Sequence, residues 1–146
     1  MDEVVRRAEL ADGTQLGELE AAARHRLIDQ RGGAALLAEQ PAIGDWGPAI
    51  ADHARWIGVA ELDSFVVGYR ELAFTGDIAV VRQVYVEPEA RSLGFGDALL
   101  DAARDEAVRR GCGALEGFAL PGDRDTKNLY ERAGITARKI IVSTRL

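Results

Sequence analysis

One segment constrains the fold of this chain more than any other. It runs from residue 81 to residue 100 and reads VRQVYVEPEARSLGFGDALL. The apolar run at its start predicts a β-strand, and Pro88 ends that strand because proline has no N–H to donate to a sheet. An apolar stripe at helical spacing follows, made by Leu99, Leu100, Ala103 and Ala107. The segment therefore predicts a strand that leads through a short turn directly into a helix.

The turn between that strand and that helix is suited to hold an anion. The first amides of a helix have no intrahelical acceptor, and they lie at the positive end of the helix dipole. Gly94 and Gly96 let an anion approach the backbone, and Arg91 adds a charged donor fork. The same glycines also serve simply to start a helix, so the pattern alone leaves both interpretations open. It lacks the glycine spacing of a dinucleotide fold and the Gly-Lys-Ser/Thr of a P-loop.

The rest of the chain alternates between strand and helix patterns, which indicates an α/β or α+β domain. Before the turn, we expect a strand at 4–8, helices at 14–28 and 34–40, a loop at 41–48, and antiparallel strands at 56–62, 65–74 and 78–87. After it, we expect a helix at 96–110, a strand at 114–120, a helix at 123–133 and a final strand region at 135–146. The loop at 41–48 holds two prolines and two glycines around Trp46, which we expect to be exposed.

Composition excludes several classes of protein. A chain of 146 residues fits one domain, here 1–146. The net charge is −6 and the basic residues are interleaved with acids, which argues against a nucleic-acid partner. We see no signal peptide and no apolar run long enough for a membrane span, so we expect no membrane partner. Cys112 is the single cysteine, which favours a cytoplasmic setting, and the isolated His25 and His53 suggest no metal site.

Two motifs together resemble the GNAT superfamily of N-acyltransferases. That family places Gln/Arg-x-x-Gly-x-Gly/Ala after a strand ending Val-x-Pro, and here Val86-Glu87-Pro88 and the segment 91–96 match both parts in register. A second signature lies downstream, with Asn128, then Leu129-Tyr130-Glu131, then Gly134-Ile135. The resemblance covers most of the chain from Trp56 onward.

The resemblance implies a GNAT-like α/β (α+β) fold. We expect a mixed, mostly antiparallel central sheet of about six or seven strands with about four flanking helices. The strands at 78–87 and 114–120 would splay apart, and the pantetheine arm of the acyl donor would enter the gap between them as an added strand does.

The resemblance also implies acetyl-CoA as the acyl-donor co-substrate. Backbone groups of Val84 and Val86 would bind pantetheine, and the amides of residues 93–96 would bind the pyrophosphate. The predicted cofactor-binding residues are Val84, Tyr85, Val86, Arg91, Ser92, Leu93, Gly94, Phe95, Gly96, Asp97 and Asn128.

For catalysis, the resemblance implies an N-acetyltransferase that moves an acetyl group to a primary amine by direct attack in a ternary complex. Tyr130 aligns with a tyrosine acid that many relatives carry, although an ordinary packed aromatic also explains it. Relatives often carry a glutamate base where this chain has Arg82 and Gln83. The base is therefore open between Glu71, Glu116 and a water relay.

Other questions stay open at the level of sequence. The acceptor is a small-molecule or peptide amine whose identity the motifs do not give. An alternative is a non-catalytic, acyl-CoA-binding regulatory domain. The β-rich residues 140–146 either complete the chain's own sheet or pair with a second subunit in a homodimer.

Overall fold

The computed structural model of this chain describes residues 3–146, and a mixed β-sheet forms its centre. The described strands are β1 (Glu3–Arg7), β2 (Arg55–Leu62), β3 (Phe65–Thr75), β4 (Ile78–Val86) and β5 (Ala114–Gly117). They lie in the order β1-β2-β3-β4-β5. The first four pair antiparallel, and β5 pairs parallel to β4 because the chain returns through a helix between them.

Helices cover both faces of the sheet. The described α-helices are α1 (Gly13–Leu27), α2 (Gly33–Glu39), α3 (Trp46–Ala51), α4 (Phe95–Arg109) and α5 (Arg124–Arg132). Two 3₁₀-helices, Leu10–Asp12 and Pro88–Leu93, precede α1 and α4 respectively. On one face, α1 and α3 pack Leu16 and Trp46 against Tyr69. On the other, α4 packs Leu100 against Leu72 and Val81. Each such apolar side chain contributes about 2 kcal/mol on burial.

A β-bulge opens the sheet between β4 and β5. The β3–β4 register passes from Leu72↔Val81 to Glu71↔Gln83, so Arg82 is an extra residue on β4. The pairing of β4 with β5 ends at Val81↔Gly117, immediately before that residue. Because a bulge bends its strand and interrupts the ladder, β4 continues to Val86 without β5 beside it. We call this opening the fork; it is the splay that the sequence analysis expected.

The prediction of six or seven strands is wrong, because the described residues form five. The final strand expected at 135–146 is absent from that part of the chain, and Ile140, Ile141 and Val142 are 81–89% exposed. β-Branched residues favour a strand only where neighbouring strands and a packed face support it. This segment has neither in the described structure.

The helix count also differs from the expected four. The described residues include five α-helices, and α3 begins inside the predicted loop. Asp45 caps α3 by accepting a hydrogen bond from the Gly47 amide, and Pro48 is tolerated because it lies in the first turn. Trp46 is buried, although the sequence analysis expected it to be exposed. It is 2% exposed and makes an edge-to-face contact with Tyr69 at 5.6 Å between ring centroids.

In the described residues, no helix combines the length and apolar character that a membrane span requires.

Candidate functional site

A small cavity lies where β4, the turn after it and α5 meet. Its volume is about 270 Å³. Eight of the predicted cofactor-binding residues line it, namely Val84, Tyr85, Val86, Arg91, Gly94, Gly96, Asp97 and Asn128. The fold therefore brings the end of the strand, the glycine turn and the second sequence signature to one place.

The start of α4 faces this cavity with its backbone donors. Gly94 is the residue before the helix and has a left-handed φ of 83°, and no described side chain caps the helix there. A Cβ at Gly94 would meet nothing within 4 Å, so the space beside the turn is open. The first-turn amides therefore need an external acceptor, and the site fits a phosphate or pyrophosphate.

Arg91 is held beside the turn by its own contacts. Its Nε donates to the Val86 carbonyl at 2.9 Å, and its guanidinium lies 5.6 Å from the centre of the Tyr85 ring. One terminal nitrogen is 3.8 Å from Asp125. The Val86 carbonyl, which we expected to offer to pantetheine, is thus already engaged. Arg91 keeps further donors for an anion, since a guanidinium has five N–H groups.

Asp97 does not cap α4; it pairs with a residue of α5. Its carboxylate accepts a hydrogen bond from the Nε of Arg132 at 3.1 Å. Asn128, also on α5, is exposed at the cavity wall. Next to it, Leu129 packs so tightly on α4 that a Cβ at Gly96 would lie 3.1 Å from it. Gly96 therefore allows α5 to approach the beginning of α4.

Three predicted residues do not line the cavity with their side chains. Phe95 is 3% exposed and packs in the core with Leu99 and Ala90. Leu93 packs against the same cluster, and Ser92 is exposed. Of the three, Phe95 lies in the first turn of α4, where its backbone amide is the group available to a ligand.

A larger cavity of about 740 Å³ adjoins the first one, and Tyr130 lines it. The Tyr130 ring lies directly over Gly117, where a Cβ would be 2.4 Å from the ring and the hydroxyl oxygen. Gly117 is the last residue of β5, so the hydroxyl lies at the fork. Burial raises the pKa of Tyr130, and a backbone hydrogen bond from Phe118 offsets part of that effect. The phenol therefore stays protonated at neutral pH and available as a donor.

A polar network lies on the β3–β4 wall of the larger cavity. Gln83 donates from its Nε2 to Glu71 at 3.1 Å and to Glu20 at 2.9 Å, and its Oε1 accepts from the Tyr69 hydroxyl at 2.5 Å. The bulge at Arg82 turns Gln83 toward α1 and so makes this network possible. Sequence spacing alone did not indicate it.

The other base candidates differ in position. Glu71 lines the larger cavity, whereas Glu116 is exposed on β5 and lines neither cavity. Arg82 is exposed at the rim.

An ion pair marks the boundary between the two cavities. Arg26 of α1 donates from both terminal nitrogens to Asp123, at 3.1 and 3.2 Å, and it lines both cavities. Asp123 also caps α5 by accepting from the Thr126 amide. Burial would raise the pKa of Asp123, but the hydrogen bonds from Arg26 and Thr126 lower it overall. The sequence predicted that a helix begins at Asp123, but it did not indicate the partner of Asp123, which lies 97 residues away.

Within residues 3–146, histidine, cysteine, aspartate and glutamate side chains form no group of three or more that is placed to hold a metal ion.

Comparison with known proteins identifies the family. The sequence pattern of the Acetyltransferase (GNAT) family matches residues 19–135, which is most of the chain. The chain therefore belongs to this family of acetyltransferases, as the two motifs predicted.

One relative by sequence agrees with that assignment. Over 64 residues the chain is 39% identical to "Aminoglycoside N(6')-acetyltransferase type 1" of Klebsiella aerogenes, a match that covers 44% of this chain and 41% of that protein. It thus spans less than half of that relative's length.

Solved structures share the fold. A predicted acetyltransferase from Clostridium acetobutylicum, solved with acetyl-CoA, superposes with a TM-score of 0.73 at 16% identity, covering 99% of this chain and 96% of that one. A ribosomal-protein-alanine N-acetyltransferase from Brucella melitensis biovar Abortus 2308 superposes with a TM-score of 0.69 at 22% identity, covering 99% and 98%.

Proposed function

We propose that this protein is an acyl-CoA-dependent N-acetyltransferase that moves an acetyl group from acetyl-CoA to a primary amine. One observation carries the proposal: the uncapped start of α4, with Gly94 beside it, opens on the cavity next to the fork. The family membership and the relative solved with acetyl-CoA support it.

The residues divide the binding of acetyl-CoA between them. The amides at 94–97 and the free donors of Arg91 bind the pyrophosphate. The unpaired edge of β4 beyond Val81 binds the pantetheine arm in the fork. The thioester then lies near Gly117 and the Tyr130 hydroxyl.

The bound thioester supplies an activated acetyl group, and the transfer needs no covalent enzyme intermediate. The amine nitrogen attacks the carbonyl carbon, and the carbon–sulfur bond breaks. Tyr130 donates a hydrogen bond or its proton to the departing sulfur. The position of the Tyr130 hydroxyl over Gly117, at the end of β5, supports this role.

Relatives and the larger cavity support a proposal for the acceptor class. One relative is an aminoglycoside acetyltransferase by name, and a structural neighbour is a ribosomal-protein-alanine acetyltransferase by name. We therefore propose a small-molecule or peptide amine as acceptor, bound in the larger cavity.

The remaining expectations stand as proposals from composition. They are a single domain over 1–146, a cytoplasmic setting and no nucleic-acid partner. A non-catalytic acyl-CoA-binding domain is the alternative, and turnover decides between the two.

Donor binding is tested by thermal unfolding. Acetyl-CoA at a hundredfold excess over its Kd should stabilise the protein by about 2.7 kcal/mol, which raises Tm by about 5–10 °C. Arg91→Glu should abolish the rise, whereas Arg138→Glu, the same change on an exposed residue away from the cavities, should keep it. No rise in the wild type would contradict the proposal.

Transfer is tested by release of the CoA thiol. The amine panel contains tobramycin, spermidine and a peptide with an N-terminal alanine. Tyr130→Phe should lower kcat by about 10²-fold or more while the Tm rise with acetyl-CoA persists. An unchanged kcat would remove Tyr130 from the acid role. Binding without turnover on any amine would favour the regulatory alternative.

A further inference from the structure

We propose that Glu71 is the general base of this acetyl transfer and that Gln83 orients its carboxylate. The inference rests on the proposed function. It is carried by one juxtaposition: a buried carboxylate on β3 and the Tyr130 phenol on α5 line one cavity at the fork.

Glu71 combines burial with access to the cavity. It is 3% exposed and yet forms part of the cavity wall. Buried carboxylates are rare unless partners hold them. Here the two partners are Gln83 at 3.1 Å on Oε1 and Arg55 at 3.5 Å on Oε2. A carboxylate has about four acceptor positions, so Glu71 keeps capacity for an amine.

Gln83 uses both N–H donors and the oxygen of its side chain in this network. Its two N–H donors point to Glu71 and Glu20, and its oxygen accepts from Tyr69. Glu20 is fixed in turn, because it accepts from the amides of Ile43 and Gly44. Glu20 does not line the cavity, which leaves Glu71 as the member of the network that an acceptor reaches.

The hydrogen-bonded network around Glu71 carries an excess of negative charge. Two carboxyl groups, on Glu71 and Glu20, stand against the single guanidinium of Arg55 within the network. Arg55 also contacts Asp52 at 3.4 Å and is partly exposed, so it has an alternative partner when an ammonium group binds Glu71. Arg24 and Arg82 also line the cavity, and Tyr69 adjoins both glutamates. Burial and the two glutamates raise the pKa of Tyr69, whereas Arg24 lowers it.

The two proton-handling groups approach from opposite faces of the sheet. Glu71 belongs to the α1 side, as its network with Glu20 shows. Tyr130 packs in the core beneath α4 and reaches the cavity over Gly117. A thioester in the fork thus meets the amine on the Glu71 side and the phenol on the other.

The proposed step balances its protons. Glu71 takes one proton from the bound ammonium, and the neutral nitrogen attacks the thioester carbon. The carbon–sulfur bond breaks, the sulfur leaves as the CoA thiol with the proton of Tyr130, and the second amine proton restores the phenol. The products are the amide, CoA and a proton on Glu71 that passes to water.

The test compares Glu71→Gln with Glu116→Gln on the panel amine that the wild type acetylates fastest. Glu71→Gln keeps the size of the side chain and should lower kcat/KM by about 10²–10⁴-fold. It should also remove the fall in kcat/KM at low pH that a general base produces. Glu116→Gln, the same change on an exposed strand glutamate, should leave both unchanged.

Two further measurements separate a lost base from a lost fold. Glu71→Gln should keep the Tm rise with acetyl-CoA, and Glu71→Asp, which retains a carboxylate, should recover part of kcat and the low-pH limb. An unchanged kcat/KM in Glu71→Gln would overturn the inference and leave the transferase proposal standing. A wild type that binds acetyl-CoA but acetylates no amine in the panel would overturn both.

Discussion

At the residue scale, two glycines shape the site for different reasons. Gly94 supplies a left-handed backbone before α4, and Gly117 makes room for the Tyr130 ring. The first is a matter of backbone conformation and the second of side-chain space. Alanine substitutions therefore have distinct effects at the two positions.

Gly94→Ala should destabilise the protein by about 1 kcal/mol, because a Cβ strains a left-handed residue although the space beside it is open. The free energy of unfolding in urea measures this. Gly122→Ala is the control, since Gly122 has no positive φ and equally open surroundings. Equal stabilities for the two variants would contradict the account of the turn.

Gly117→Ala should impair catalysis more than donor binding. The new Cβ would lie 2.4 Å from the Tyr130 ring and would displace the hydroxyl from the fork. We expect kcat to fall by about the same factor as in Tyr130→Phe, on the order of 10². A normal kcat in Gly117→Ala, measured by thiol release, would show that the position of the phenol is unimportant.

The sequence predicted which residues of the glycine turn lie together better than it predicted the network on β3 and β4. Gly94, Gly96 and Arg91 are local to one turn, so their spacing alone brings them together. Glu71 and Gln83 meet through strand register instead. The turn pairs Thr75 with Ile78, which without a bulge would place Arg82 opposite Glu71. A bulge has no reliable sequence signal, and so the network could not be predicted.

At the scale of elements, ion pairs join β1, the first 3₁₀-helix and β2. Arg6 donates to Asp12 from both terminal nitrogens at 2.9 Å and to Glu61 at 2.7 Å. The hydrogen bond from Arg6 is the main reason that the pKa of Asp12 is lowered. Because Asp12 is buried, we expect these ion pairs to contribute more to stability than an exposed ion pair does.

The ion pair between Arg6 and Asp12 predicts that stability depends on pH. Because the folded pKa of Asp12 is lowered, its stabilisation is complete above the ordinary aspartate pKa near 4 and is lost as the pH falls through the folded value. Asp12→Asn should cost about 2 kcal/mol at pH 7 and less at pH 3. Urea unfolding at both pH values measures this.

The matched control for that prediction is Asp101→Asn, on the exposed side of α4. Its effect should be small at both pH values. If Asp12→Asn costs as much at pH 3 as at pH 7, the carboxylate of Asp12 is not the source of the stabilisation.

Element types were more predictable than element ends. The three antiparallel strands, α4 and α5 were predicted within about three residues, because proline, glycine and apolar periodicity mark them. The strand at 114–120 ends at Gly117, since the bulge in β4 removes its partner. α3 was missed because two prolines and two glycines outweighed its short apolar stretch.

At the scale of the whole molecule, the carboxyl-terminal segment 140–146 is exposed and belongs to no described helix or strand. Ile140, Ile141 and Val142 are exposed, and the four-residue strand β5 forms one edge of the described sheet. An open edge and a β-branched segment on the same chain favour pairing between two copies. We predict a homodimer that this segment stabilises.

The homodimer prediction is tested by light scattering after size-exclusion chromatography. The wild type should have about twice the mass of the 15.8 kDa chain. Ile141→Lys should give a monomer, whereas Thr144→Lys, the same charge on a polar residue of the segment, should weaken the dimer less. A monomeric wild type would show that the segment does not associate in solution.

The most direct test of the central claim is a crystal structure of the protein with acetyl-CoA. The account predicts the pyrophosphate on the backbone amides of residues 94–97, the pantetheine arm in the fork beyond Val81, and the thioester sulfur beside the Tyr130 hydroxyl. A cofactor bound elsewhere, or a first turn of α4 that contacts no phosphate in the complex, would contradict it.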